Sequence, residues 1–128
     1  MACVLVCVTA QPSSHRLIAA GDALAAECAL PLQVLAVAGS GQNLLELPHV
    51  ITTLDALYAR ARSVGAEMTM LTDRDPRRAI ADFARKCGAT HLVMGKGGAS
   101  PDSLQSQLAR ALPQVAFHIY DAGELPDA

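Results

Sequence analysis

The chain has 128 residues, 52% of them apolar and only 3% aromatic, with no Trp and a net charge of −2. That is the length of one domain with a sizeable core of Ala, Leu and Val, and there is no basic field to attract nucleic acid. No apolar run approaches the ~18 residues of a membrane span, and the apolar opening residues lack the basic flank of a signal peptide, so a cytoplasmic chain is expected.

Cys3–Val8 is a continuous, Val-rich apolar run and predicts a central parallel strand. Thr9, Ala10, Gln11, Pro12, Ser13 and Ser14 then form a loop that ends in helix-capping chemistry. The first helix places Leu17, Ile18, Gly21, Leu24, Ala25 and Cys28 on one face, and Pro31 ends it. Residues 32–38 predict a second strand and residues 39–43 a second loop. Residues 44–49 are ambiguous, but Pro48 suits the opening of a second helix with Ile51, Leu54, Leu57, Tyr58 and Ala61 inward and Gly65 at its close. Residues 68–71 predict a short third strand.

Asp75 is placed to cap a third helix with Pro76 at its first position. Ile80, Phe83, Ala84 and Cys87 turn inward from it, and Gly88 suits the left-handed residue just past its end. Leu92, Val93 and Met94 predict a fourth strand, covered on both faces. Gly95, Gly97 and Gly98 then let the backbone bend and approach a ligand closely. Ser100 with Pro101, or Asp102 with Ser103, caps a fourth helix that carries Leu104, Leu108, Ala111 and Leu112 and stops at Pro113. Residues 115–120 predict a fifth strand and residues 121–128 a tail, all within one domain spanning residues 1–128.

Strict alternation of strand and helix predicts an α/β fold, Rossmann-like, with a parallel sheet and helices on both faces. In such sheets the ligand crevice lies beyond the strand C-termini where the strand order reverses. With a central first strand, the loops after the first and fourth strands meet there. The candidate ligand-binding residues are therefore Thr9, Gln11 and Ser13 from one loop, and Gly95, Lys96, Gly97, Gly98, Ser100 and Ser103 from the other. Their N–H groups and the following helix start could cradle a phosphate, with Lys96 adding charge. The plain alternative is a tight strand-to-helix turn with an exposed lysine.

Cys3 and Cys7 share one strand face about 13 Å apart at ~3.3 Å per residue, too far for a disulfide. The four cysteines, Cys28 and Cys87 included, are expected as buried small hydrophobes. His15 lies at the crevice, and His15, His49, His91 and His118 are not expected to cluster, so no metal site is expected. Arg74, Arg77 and Arg78 are expected to pair with Asp73 and Asp75. No nucleophile-and-base arrangement stands out, so no catalysis is expected.

Two blocks carry a family likeness. The first is Val6-Cys7-Val8-Thr9-Ala10-Gln11-Pro12-Ser13-Ser14-His15-Arg16-Leu17-Ile18. The second is Asp75-Pro76-Arg77-Arg78-Ala79-Ile80, continued by Phe83-Ala84 and by Ala89-Thr90-His91-Leu92-Val93-Met94-Gly95-Lys96. They resemble the universal stress protein family and, more narrowly, the stress-protein-like domain of the KdpD sensor kinases. The resemblance implies a five-stranded parallel sheet in the order 3-2-1-4-5, of the adenine nucleotide alpha hydrolase-like type. It implies a non-catalytic regulatory or stress-response module, taking an adenine nucleotide or another phosphate ligand at the two loops.

The ATP-binding members are similar in carrying Gly-x-x-Gly, nine residues, then Gly-Ser or Gly-Thr. Gly95-Lys96-Gly97-Gly98 matches the first part, whereas Leu108 and Ala109 stand where the second part belongs. Counting back from Pro113 instead puts Asp102 and Ser103 there, with a shortened loop, and Thr9 replaces the Asp usual after the first strand. These departures predict that ATP or AMP binds weakly, and that a smaller phosphate ligand or an anion suits the loop better. The alternatives are a ligand-free dimeric interaction module and a KdpD-type cyclic di-AMP sensor. The latter's Ser-x-Ser pair is half kept as Thr9-Ala10-Gln11, and its aromatic run is replaced by Val34-Leu35-Ala36-Val37. Val115, Phe117 and Ile119 give the fifth strand one apolar face, and the resemblance implies a homodimer through it.

Overall fold

Each strand-length apolar run of the sequence finds a parallel neighbour. The computed structural model describes residues 2–8, 14–39, 48–73, 75–95 and 104–120. In chain order the elements are β1 (Cys3–Val8), α1 (Ser14–Cys28), β2 (Leu32–Gly39), α2 (Pro48–Ser63), β3 (Glu67–Asp73), α3 (Pro76–Cys87), β4 (Ala89–Gly95), α4 (Leu104–Ala111) and β5 (Ala116–Tyr120). The five strands form one sheet in the order β3-β2-β1-β4-β5. All neighbours run parallel, and Val6 stands beside Val34 on one side and Val93 on the other. No helix among the described residues is long and apolar enough to cross a membrane.

The alternation of side chains along each strand divides the interior in two. Val4, Val6, Val8, Val34, Ala36 and Val93 pack with Leu17, Ile18 and Ala25 of α1 and Leu54, Leu57 and Ala61 of α2. On the other face Leu5, Leu35, Leu92 and Met94 pack with Ile80, Ala81 and Ala84 of α3 and Leu108 of α4. Val4, Leu5, Val6, Leu92 and Val93 have no exposed surface at all, as a central strand pair covered on both faces requires.

The strands run slightly past their predicted bounds. The β2–β3 ladder extends from Gln33 beside Glu67 to Gly39 beside Asp73, so the backbone pairing recruits polar residues that hydropathy leaves out. That is tolerable because β3 is an edge strand with one side open to water. β5 begins at Ala116, one residue later than predicted.

Helix ends follow local chemistry. Asp75 caps α3, with its carboxylate accepting from the Arg78 N–H at 3.3 Å and pairing with Arg77 at 3.5 Å. Gly88 closes the same helix at φ 71°, and its N–H donates back to Arg85 O at 3.3 Å. Arg85 also donates to the Ala111 carbonyl at 3.2 Å, joining α3 to the end of α4. Arg74 and the side chain of Asp73 lie outside the described residues, as do the predicted tail and residues 44–47.

Two expectations need correction here. α1 ends at Cys28, ahead of Pro31, because Ala29 turns left-handed at φ 57° and Leu30 N–H bonds back to Ala25 O at 2.9 Å. Tyr58 is 46% exposed, not inward. The buried stripe of α2 is Leu54, Leu57 and Ala61, and Tyr58 stands about 100° around the helix from Leu57. Its ring lies under the Arg62 guanidinium, 5.9 Å from the centroid.

Candidate functional site

The strand order places a reversal beside β1. The chain passes from β1 to β2 and β3 on one side, then crosses to β4 and β5 on the other. The segments after β1 and β4, residues 9–13 and 96–103, leave the same end of two adjacent central strands. This is the crevice position of open parallel sheets. α1 and α4 begin just beyond it, and neither has a carboxylate in its first turn. Two helix starts with no acidic residue in the first turn give this end a positive bias toward an anion, opposed at α4 by Asp102 two residues ahead of it in the sequence. His15 and Arg16, both half-buried, belong to the first turn of α1.

Of the predicted ligand residues, Thr9, Gln11, Ser13, Lys96, Gly97, Gly98, Ser100 and Ser103 lie outside the described residues. Gly95 lies within them. It is the last residue of β4, paired with Tyr120 of β5, and its φ is not in the left-handed region. A Cβ built there would meet Leu17 Cδ1 at 3.7 Å, an ordinary contact. Gly95 therefore closes β4 as a paired strand residue.

A second polar cluster lies on the α1 face of β4 and β5. His91 Nδ1 is 3.2 Å from His118 Nε2, and Cys28 Sγ at the end of α1 is 3.9 Å from His91 Nε2. Burial, followed by the charge of His91, holds His118 below the ordinary imidazole pKa. This overturns the expectation that the histidines stay apart. The signal was available in principle. Val93 pairs with His118, and His91 is two residues before Val93, so both rings share one face of neighbouring strands. It becomes visible only once β4 and β5 are known to be adjacent and their register is fixed.

On the opposite face Cys3 Sγ lies 3.3 Å from Cys87 Sγ, across the start of β1 and the end of α3. The cysteines are all free. Burial pushes the Cys3 thiol up to about 12, with the Cys87 thiol adding to the rise, and burial pushes Cys7 to about 12 as well. Such thiols are neutral and poorly nucleophilic at pH 7.

No family model matches the sequence, and no curated protein matches it. Solved structures do. A universal stress protein family member from Burkholderia pseudomallei superposes with a TM-score of 0.64 at 21% identity, over 91% of this chain and 93% of its own. A universal stress protein in complex with cAMP superposes with a TM-score of 0.66 at 20% identity, over 93% of this chain and 95% of its own. The Archaeoglobus fulgidus universal stress protein in complex with dAMP gives 0.63 at 20% identity, over 94% and 97%. The fold is that of the universal stress proteins.

Within the universal stress protein fold, the crevice beside β1 and β4 and the His91–His118 pair are separate places. His91 precedes Gly95 by four residues along β4, about 13 Å at ~3.3 Å per residue.

Proposed function

We propose that this chain is a non-catalytic regulatory module of universal stress protein type, a single domain working in the cytoplasm. It takes an adenine mononucleotide or a similar small phosphate ligand at the crevice between the segments after β1 and β4. The carrying observation is the order reversal beside β1, where two helix starts free of acidic first-turn residues adjoin adjacent strand ends. The solved relatives of this fold in complex with cAMP and dAMP support a ligand with a single phosphate. Thr9, Gln11 and Ser13 would supply polar contacts from the first segment. Lys96, Gly97, Gly98, Ser100 and Ser103 would surround the phosphate from the second, with Gly95 setting where that segment starts.

Asp102 disfavours a longer phosphate chain. A charge 4 Å away at an effective dielectric of 20 is worth ~4 kcal/mol, against about 0.3–1 kcal/mol from a helix start. Isothermal titration with AMP, cAMP, cyclic di-AMP and ATP is the test. Binding of AMP or cAMP, weakened by Gly97→Val, supports the reading. Preference for cyclic di-AMP selects the KdpD-type sensor instead. Silence toward all four leaves the ligand-free interaction module. We further propose that the module is a homodimer through β5, because that strand is an edge of the sheet whose unpaired N–H and C=O groups can take a partner strand.

A further inference from the structure

His91 and His118 are diagonal neighbours on one face of two parallel strands, with ring centroids 5.4 Å apart and planes inclined by 36°. The facing atoms are ring nitrogens, Nδ1 of His91 and Nε2 of His118, at 3.2 Å. Two imidazole nitrogens that each ligate one ion at ~2.0–2.1 Å in a near-tetrahedral arrangement stand roughly 3.2–3.4 Å apart. We propose that these two nitrogens form a binding site for a borderline divalent transition ion of the zinc class, at the β5 edge of the sheet.

The surroundings suit that role. The backbone ladder fixes the positions that carry both rings, since His91 stands beside Val4 and Ala116, and His118 beside Val93. A ligating histidine carries its proton on the other ring nitrogen and directs it to an acceptor. For His91 that nitrogen is Nε2, and the atom facing it is Cys28 Sγ at 3.9 Å. Cys28 is thus a positioning residue behind the ring and not a ligand. Burial, and then the charge of His91, holds His118 below the ordinary imidazole pKa and favours its neutral, ligating form. Without an ion, one nitrogen donates a hydrogen bond to the other. The ion takes both lone pairs, the histidine that was the donor moves its proton to its other ring nitrogen, and no net proton is released.

The His118 ring is half-buried, so water can complete the ion's coordination from the exposed side of that ring. Among the described residues there is no group of three or more His, Cys, Asp or Glu able to hold an ion. The site is therefore an open, two-nitrogen one, weaker than a closed four-ligand structural centre.

The test is titration of the untagged chain with Co²⁺ and Zn²⁺, read by visible absorption and by ¹⁵N NMR of the imidazoles. The expected result is one ion per chain at tens of micromolar, with shifts at His91 Nδ1 and His118 Nε2 in the unmodified chain. His118→Gln loses the ion, the double variant His15→Gln/His49→Gln keeps it, and Cys28→Ala keeps the spectrum while weakening affinity about tenfold. The NMR shifts report on the wild type, so the proposal is tested even if His118→Gln fails to fold. No binding at millimolar ion overturns the proposal. So does binding that survives in a folded His118→Gln, or a thiolate-to-cobalt band that Cys28→Ala removes, which would place the ion on the sulfur side of His91.

Discussion

Gly21 of α1 faces Val6 of β1 with no room between them for one more carbon. A Cβ built on Gly21 overlaps the Val6 Cγ2 methyl and crowds Leu32 Cδ1 at 3.3 Å. Val6 is fully buried in a central strand and has nowhere to retreat. Gly21→Ala gains ~1 kcal/mol of helix propensity but incurs overpacking of about 1–3 kcal/mol. The variant should be less stable by urea denaturation. Gly95→Ala, whose added carbon meets only an ordinary contact, should leave the midpoint nearly unchanged.

Ala29 offers the opposite case. It holds a left-handed φ of 57° just past α1, where glycine is the usual occupant. The strain of an L-residue there is about 1–2 kcal/mol, and glycine's added freedom in the unfolded chain returns roughly 0.4–1 kcal/mol. Ala29→Gly should raise stability by up to about 1.6 kcal/mol in the same assay.

The fold should weaken in alkali through its buried thiols. Burial, and then the Cys87 charge, raises Cys7 from 9.0 to about 12. A thiol raised in the folded state stays protonated there while the unfolded chain ionises. Its contribution is fully present below pH 9 and is lost as pH rises toward 12. Cys7→Ala should flatten this part of the stability–pH curve relative to wild type, measured by denaturation at pH 7 and pH 10.

ATP should bind weakly or not at all, and Asp102→Gly should strengthen it. A phosphate 4 Å from the Asp102 carboxylate would meet ~4 kcal/mol of repulsion at an effective dielectric of 20, more than the helix start returns. Isothermal titration of ATP with magnesium against both chains decides this. Low-micromolar binding to wild type would show that the carboxylate turns away.

Light scattering at tens of micromolar should give twice the 13.3 kDa chain mass. A monomer at that concentration would count against pairing through β5.

The core of the fold was legible because its signals are local. The Val-rich run of β1, the Leu92-Val93-Met94 run, the Asp75-Pro76 start and the Gly88 stop each state their own conformation, and alternation assembles them. The side-by-side placement of Val6 and Val93 needs the strand order, which alternation leaves open and the family resemblance implies. The outward Tyr58 and the helix stop ahead of Pro31 escape the sequence because helix-face width and a left-handed alanine depend on packing, not on spacing. The His91–His118 contact joins residues from different strands, so nothing short of the register reveals it. Of the crevice, position was legible from strand order, while Gly95 shows that a glycine after a strand can simply extend it.

The sheet is also a partition. Leu57 lies in the core on one side and Leu108 in the core on the other, both without exposed surface. With no shared side-chain partner across the backbone layer, truncating both should cost the sum of the single losses to within about 0.5 kcal/mol. Each face can then accumulate change without consulting the other. Drift in the α3–α4 layer leaves the packing behind the α1 layer intact, and a chain built this way can diverge far in sequence one side at a time.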